Sequence, residues 1–309
     1  MKFVSLFVIW LRLRRAECIP RRIIVKRISF GSISETLVLL CLCHVLDCAN
    51  AEIATAVAPN QSERQFTNAA PYSSEAEIQR HFGYEVPLPA YDLKLEKFRT
   101  VIPDHYGTNH AWGLLVWISA ENEARVPEEV AAEAQSHQML LISAYKSGND
   151  RHPLDRFRLA LDGVCNMCRE YQVDRTRIYV SGFSGGSRIA SMLGVAYGDV
   201  FSGTLCLCGV NFYRPTRSTE GEEYPATYVP EPGPLARAKQ VGRFVLMTGE
   251  TDPNRRSTLV LAEKGFKQEH FRNLLVQEVP GMGHAVPAGK ELRQALDYLE
   301  ERPLSKAVH

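Results

Sequence analysis

From Lys97 onward the chain alternates short runs of apolar and β-branched residues with longer stretches whose apolar positions recur at helical spacing. The runs predict strands over 98–102, 114–119, 139–145, 178–181, 204–210, 243–248 and 274–279. The intervening stretches predict helices over 127–137, 154–171, 186–197, 257–264 and 290–301. In the last of these, Leu292, Ala295, Leu296 and Leu299 share one face, and Pro127 suits a helix first turn. Strands such as Leu205-Cys-Leu-Cys-Gly-Val210 are apolar on both faces, as a parallel sheet covered by helices requires. The pattern therefore predicts an α/β fold: a doubly wound, mostly parallel sheet with helices on both faces. The sequence shows no internal repeat.

Two stretches depart from this pattern. Residues 52–95 are rich in Ala, Ser, Asn, Gln and Pro with little periodicity before Tyr91, and read as a linker or surface strap ahead of a main domain over 96–309. Residues 211–234, dense in Pro, Gly, Thr and Glu, follow a strand end, so they are expected either as a lid or substrate wall over the carboxyl edge of the sheet or as a plain surface loop.

The amino-terminal segment has a different character. Thr36 to Leu46 is an apolar run of signal-peptide length, preceded by Arg21, Arg22, Lys26 and Arg27 and followed by Ala49-Asn-Ala51. Basic region, short apolar region and small-x-small site together predict an export signal over 1–51, cleaved near Ala51, and hence a periplasmic or extracellular protein. The run is short for a membrane span, so no stable span is expected once the signal is removed; a helix buried against the domain is the other reading. Met1 is the only methionine before Met139, which makes the basic region unusually long for such a signal.

Composition suits one substantial globular domain: 309 residues, 45% hydrophobic and 23% charged. The formal net charge of +1 conceals an asymmetry, because the first 51 residues hold eight Lys/Arg against three acids, and the remaining 28 basic and 32 acidic residues give −4. No nucleic-acid partner is expected on that balance. Beyond residue 51 four cysteines remain, in two close pairs, Cys165/Cys168 and Cys206/Cys208. Their spacing permits core packing, disulfides or zinc; the first is preferred, since both pairs continue apolar faces and buried cysteine behaves as a small hydrophobe.

The candidate chemistry sits at strand ends. Ile178-Tyr-Val-Ser-Gly-Phe-Ser184-Gly-Gly passes from an apolar run through a glycine-bracketed turn directly into a helical pattern, the context of a nucleophile elbow. Downstream, Asp252 lies just past the apolar run 244–248, and His284 lies in a glycine-bracketed loop past the run 274–279. Serine, acid and histidine thus occur in that order, each beyond a separate strand. A serine hydroxyl needs an imidazole to accept its proton, and the imidazole needs a carboxylate to hold its tautomer. Ser184 is therefore the candidate nucleophile, His284 the base and Asp252 the orienting acid, with Glu250 in reserve. Each alone has a plainer reading as a turn, cap or loop residue.

Gly182-Phe-Ser-Gly-Gly186, Thr248-Gly-Glu-Thr-Asp-Pro253 and Gly281-Met-Gly-His284-Ala-Val-Pro287 resemble the secreted esterase branch of the α/β-hydrolase superfamily, which includes polyhydroxybutyrate depolymerases and feruloyl esterases. The likeness runs from about Phe98 to Glu301. It implies the α/β-hydrolase fold and a serine esterase working through an acyl-enzyme on a small or polymeric ester, with no cofactor and no metal. It does not name the acyl group or the alcohol, and oligomeric state is not readable. One departure stands out: in that family the strand before the first helix usually ends in His-Gly, whereas here it ends in Ser119-Ala120. Oxyanion donors are backbone N–H groups, so Gly185 with Ser119 or Ala120 are the candidates. The departure keeps open a second reading, a catalytically weak or inactive binding protein of the same fold. Peptidase activity has no dedicated feature. Tyr145, Asn149, Phe212 and Tyr213, at or beyond strand ends, are candidate substrate contacts, with surface or rim packing the preferred reading of each, and Arg188 reads as a charge on the helix surface.

Overall fold

The apolar runs do assemble as strands, mostly with the predicted bounds. The structure is a computed structural model and describes residues 60–84, 87 and 89–301; the expected export signal and its cleavage site lie outside the described residues. The strands are β1 (Asn60–Arg64), β2 (Phe98–Ile102), β3 (Trp112–Ile118), β4 (Met139–Ala144), β5 (Val173–Phe183), β6 (Gly203–Leu207), β7 (Thr216–Arg217), β8 (Glu223–Tyr224), β9 (Arg243–Gly249) and β10 (Asn273–Val279). The helices are α1 (Glu75–Phe82), α2 (Glu128–Ser136), α3 (Pro153–Glu170), α4 (Gly185–Ala196), α5 (Pro232–Gln240), α6 (Arg255–Val260) and α7 (Lys290–Glu300).

Eight strands form one sheet in the order β1-β2-β4-β3-β5-β6-β9-β10, and β7 with β8 makes a separate hairpin. The six strands from β4 to β10 run parallel, while β2 is antiparallel to β4 and to β1. Alternate residues of each strand point to opposite faces, so the sheet carries two cores. Leu114, Val116 and Ile118 of β3 join Phe157 and Leu161 of α3 and Ile189 and Leu193 of α4. Leu115 and Trp117 join Val130 and Ala134 of α2 and Leu292 and Leu299 of α7. The strand order reverses between β3 and β5, and the crevice above such a switch point is where open α/β sheets place ligands. Residue 119 follows β3 and residue 184 follows β5, so both arrive there together.

Residues 60–95, read from the sequence as a linker or strap, are built into the same compact unit as the sheet. β1 extends the sheet edge, and α1 stacks the Phe82 ring on Phe157 at 4.0 Å. Ile78 and Phe82 are fully buried, worth roughly 3–6 kcal/mol of transfer free energy together. The segment is fastened to α3 through the buried Asp162, whose carboxylate accepts from Ala70 N at 2.6 Å, Ser73 Oγ at 2.6 Å and the Tyr91 hydroxyl at 2.7 Å. Asp162→Ala would strand the buried Ala70 N–H and the part-buried Tyr91 hydroxyl, while Ser73 Oγ keeps Ala70 O as an acceptor at 2.9 Å, and is expected to lower stability by about 3 kcal/mol in urea unfolding. Asp162→Asn, which keeps an acceptor there, should lose clearly less.

Residues 211–234, expected either as a lid or substrate wall or as a plain surface loop, make contacts with the segment before β2. Val229 N donates to Phe82 O at 3.0 Å and Thr227 N to Phe212 O at 3.2 Å, while the Tyr228 ring is buried against Phe82 and Tyr213, so the segment is tied to α1. Gly265, which reads as a helix C-cap, instead lies inside a π-helical stretch, Leu261–Lys267, that continues α6. A Cβ there would meet the Phe212 ring at 3.0 Å, so the glycine makes room for an aromatic cluster with Phe266 and Phe271.

Candidate active site

Ser184 is the tip of a turn between the longest strand of the sheet and α4. Its backbone has φ 54° and ψ −117°, a conformation L-residues rarely adopt, which costs on the order of 1–3 kcal/mol and projects the side chain above the sheet. Ser184 N donates to Leu207 O at 2.9 Å, which pins the turn to β6. The turn is possible because the helix closes on the strand: a Cβ on Gly186 would lie 1.9 Å from Ile118 O, a backbone atom that cannot step aside.

The parallel register carries the neighbouring strand ends to the same level. Phe183 pairs with Leu207, Leu207 with Met247, and Gly249 with Val279. The loops beyond β9 and β10 therefore meet at Ser184. His284 Nε2 lies 3.0 Å from Ser184 Oγ, and His284 Nδ1 lies 2.8 Å from Asp252 Oδ1. Asp252 is buried, at 4% exposure, whereas the histidine is open to solvent on one side. Burial raises the Asp252 carboxyl, but donors from Asn254 N, the Cys208 thiol, His284 and the Thr248 hydroxyl outweigh it, so it is held below the usual carboxylate range. Of these, Thr248 Oγ1 lies at 2.8 Å and Asn254 N at 2.9 Å. Glu250, the reserve acid, faces elsewhere and accepts from Gly281 N at 2.8 Å. The arrangement can draw a proton from Ser184 Oγ onto a ring held in one tautomer by a buried carboxylate whose donors favour its charged form.

The cavity beside Ser184 has a volume of about 410 Å³; Trp117, Phe183 and Val286 give it apolar walls, and Ser119 and Ala120 border it. The candidate substrate contacts divide. Asn149 reaches the elbow, its amide oxygen 1.9 Å from where a Cβ on Gly185 would lie. Tyr145 does not line the cavity; its hydroxyl accepts from Arg99 Nη2 at 2.8 Å across the β2–β4 pair. Phe212 and Tyr213 do not line the cavity either, and pack as their preferred reading has it. Phe212 is buried at 1% exposure against the rings of Phe266 and Phe271, and the Tyr213 hydroxyl donates to Glu269 at 2.8 Å. Cys208, the first residue after β6, is in the left-handed region with φ 58°.

Two residues named from the sequence for other reasons support the site. Arg188, read as a surface charge, is half-buried and ties Val210 O at 3.0 Å to Asn254 Oδ1 at 3.1 Å, linking the loop after β6 to the one after β9. Cys208 lies against the acid, with burial first and then the Asp252 charge pushing its thiol up to about 12. Among the described residues, Cys208, Asp252 and His284 are the one group of such side chains whose potential ligand atoms cluster, within 4.8 Å, and each is already engaged in the contacts just given. Cys165, Cys168, Cys206 and Cys208 are all free thiols, with Cys206 packed in the core as preferred. No helix among the described residues is long and apolar enough to cross a membrane.

No family model and no curated protein sequence matches the chain. Solved structures do. The feruloyl esterase module from Clostridium thermocellum, as a mutant complexed with sinapinate, is similar over 66% of this chain and 82% of its own, at 14% identity and a TM-score of 0.51. S-formylglutathione hydrolase from Staphylococcus aureus is similar over 78% of this chain and 97% of its own, at 11% identity and the same TM-score of 0.51. The chain has the α/β-hydrolase fold expected from its motifs.

Proposed function

We propose that this protein is a serine carboxylic-ester hydrolase working through a Ser184-His284-Asp252 relay and an acyl-enzyme. The observation that carries the reading is the continuous path from Ser184 Oγ to His284 Nε2 at 3.0 Å and from Nδ1 to Asp252 Oδ1 at 2.8 Å, at the border of an open cavity. The feruloyl esterase and S-formylglutathione hydrolase names of the two structural neighbours support an ester or thioester of modest size as substrate.

The reaction then runs in two halves. Ser184 Oγ adds to the acyl carbon as its proton passes to His284 Nε2, while Asp252 holds Nδ1–H and stabilises the imidazolium. The acyl oxygen becomes negative and is met by backbone N–H groups of Gly185 and Ala120. Gly185 opens α4, so its N–H has no intrahelical acceptor. Collapse of the adduct breaks the bond to the alcohol, which leaves with the proton from His284. Water repeats the sequence on the acyl-serine, and the acid is released. The test is pre-steady-state hydrolysis of p-nitrophenyl butyrate: one equivalent of p-nitrophenol per protein should appear ahead of the steady state when deacylation is limiting. Hydrolysis at an undiminished rate by Ser184→Ala would overturn the reading.

We propose in addition that the protein is exported, on the strength of the basic and apolar segments before Ala51. Expression in a secreting host should yield a mature chain starting near Glu52 by intact mass. A full-length mass in the exported fraction would contradict it.

A further inference from the structure

Arg156 is an anomaly of the fold. It lies on α3 at 4% exposure, and among the described residues no carboxylate comes within ion-pair distance of it. Its Nε has no hydrogen-bond partner. Burial pulls the guanidinium down to about 10, against the opposing charge of Asp150. A buried cation without a paired anion is costly, and this one contacts the Ser119-Ala120 loop, which departs from the His-Gly pattern of the family the motifs resemble.

Its contacts explain the placement. Arg156 Nη2 donates to Ser119 O at 2.9 Å, and Nη1 reaches Asn149 Oδ1 at 3.5 Å. A planar trans peptide puts its carbonyl and the following N–H on opposite sides. With the Ser119 carbonyl drawn inward to Arg156, the Ala120 N–H must point outward, toward the cavity that Ala120 and Ser184 both border. Among the described residues this N–H has no acceptor. The next peptide is fixed as well, by Asn149 N donating to Ala120 O at 3.0 Å and by Glu121 N donating to Ser119 Oγ at 3.0 Å. Asn149 also abuts Gly185. The one guanidinium thus touches the supports of both backbone donors, Ala120 directly through its peptide and Gly185 through Asn149.

We propose that Arg156 is a positioning residue for the oxyanion donors, holding the Ser119–Ala120 peptide so that the Ala120 N–H, together with that of Gly185, faces the oxygen that becomes negative. This choice selects Ala120 over Ser119 as the second donor. It also accounts for the loop working without a His-Gly pair, because the orientation comes from a fixed cation beneath the peptide. The inference rests on the reading of Ser184 as nucleophile.

The experiment compares wild type, Ser184→Ala, Arg156→Met and Arg156→Lys on p-nitrophenyl butyrate, with a trifluoromethyl ketone as the probe of oxyanion binding. Arg156→Met is expected to lower kcat by about 100-fold with KM unchanged, in line with the loss of one oxyanion donor. Ketone affinity should weaken in step with kcat. Arg156→Lys, whose ammonium can still donate to Ser119 O, should recover at least part of kcat. A purely structural arginine would instead show a lowered unfolding midpoint with kcat per folded molecule unchanged. Folded Arg156→Met with wild-type kcat and ketone affinity overturns the positioning role alone. Activity that persists in Ser184→Ala overturns the nucleophile and the positioning role together.

Discussion

Ser184→Ala is expected to lower ester turnover by roughly 10⁴–10⁶-fold while leaving substrate affinity within a few-fold, the largest effect of any single substitution in this chain. The hydroxyl is the only atom removed, and the cavity walls, the Gly185 and Ala120 donors and the His284–Asp252 pair all stay in place. Binding therefore survives and covalent chemistry does not. Ser184→Gly adds a second readout. At φ 54° and ψ −117° a Cβ is strained, so glycine should be as inactive as alanine yet raise stability by about 1 kcal/mol. A residue kept in an unfavourable backbone conformation to present a nucleophile behaves in this way; one kept only as a turn residue would lose no activity on replacement.

Asp252→Asn is expected to cost roughly 10⁴-fold in kcat with the fold retained. An asparagine amide facing His284 Nδ1 would favour the tautomer with its proton on Nε2, which cannot accept from Ser184 Oγ. The present carboxylate prevents this, since it is buried and its hydrogen-bond donors keep it charged through the neutral range. Glu250→Gln separates the two acids of the turn. Because Glu250 accepts from Gly281 N and does not reach the His284 ring, its loss should change kcat by no more than a few-fold. If Glu250→Gln is the severe substitution and Asp252→Asn the mild one, the acid is misassigned.

The parts of this structure legible in the sequence are those where burial imposes a pattern. β3, β4, β6 and β9 are buried along nearly their whole length because helices cover both faces of the sheet, and the Ser184 elbow shows itself through glycines demanded by close helix–strand approach. Asp252 and His284 were nominated by order and by position past strand ends, and the fold brings their side chains into one hydrogen-bonded line with Ser184. The misses have equally physical causes. β1 is the polar run Asn60-Gln-Ser-Glu-Arg64, an edge strand with one neighbour and no apolar alternation to betray it. α1 is only eight residues long, although Ser74 and Glu77 supply a capping-box spacing and Gly83 a left-handed C-cap that would have marked both its ends. α5 opens Pro-Gly-Pro, which reads as a loop. Phe212 and Tyr213 could not be separated from Asn149 as substrate contacts, because position past a strand end says nothing of where the chain turns next. Arg156 could not be found at all from its sequence neighbours: its role depends on a carbonyl 37 residues earlier, brought within 2.9 Å only by the fold.

The central claim, that Ser184 is the acyl-accepting nucleophile, is tested most directly by locating a covalent adduct. The folded protein is treated with a fluorophosphonate, digested, and the modified peptide sequenced by tandem mass spectrometry. A single adduct on Ser184, absent after prior denaturation and absent in Ser184→Ala, is the predicted result; an adduct on another residue, or equal labelling of Ser184→Ala, would contradict it.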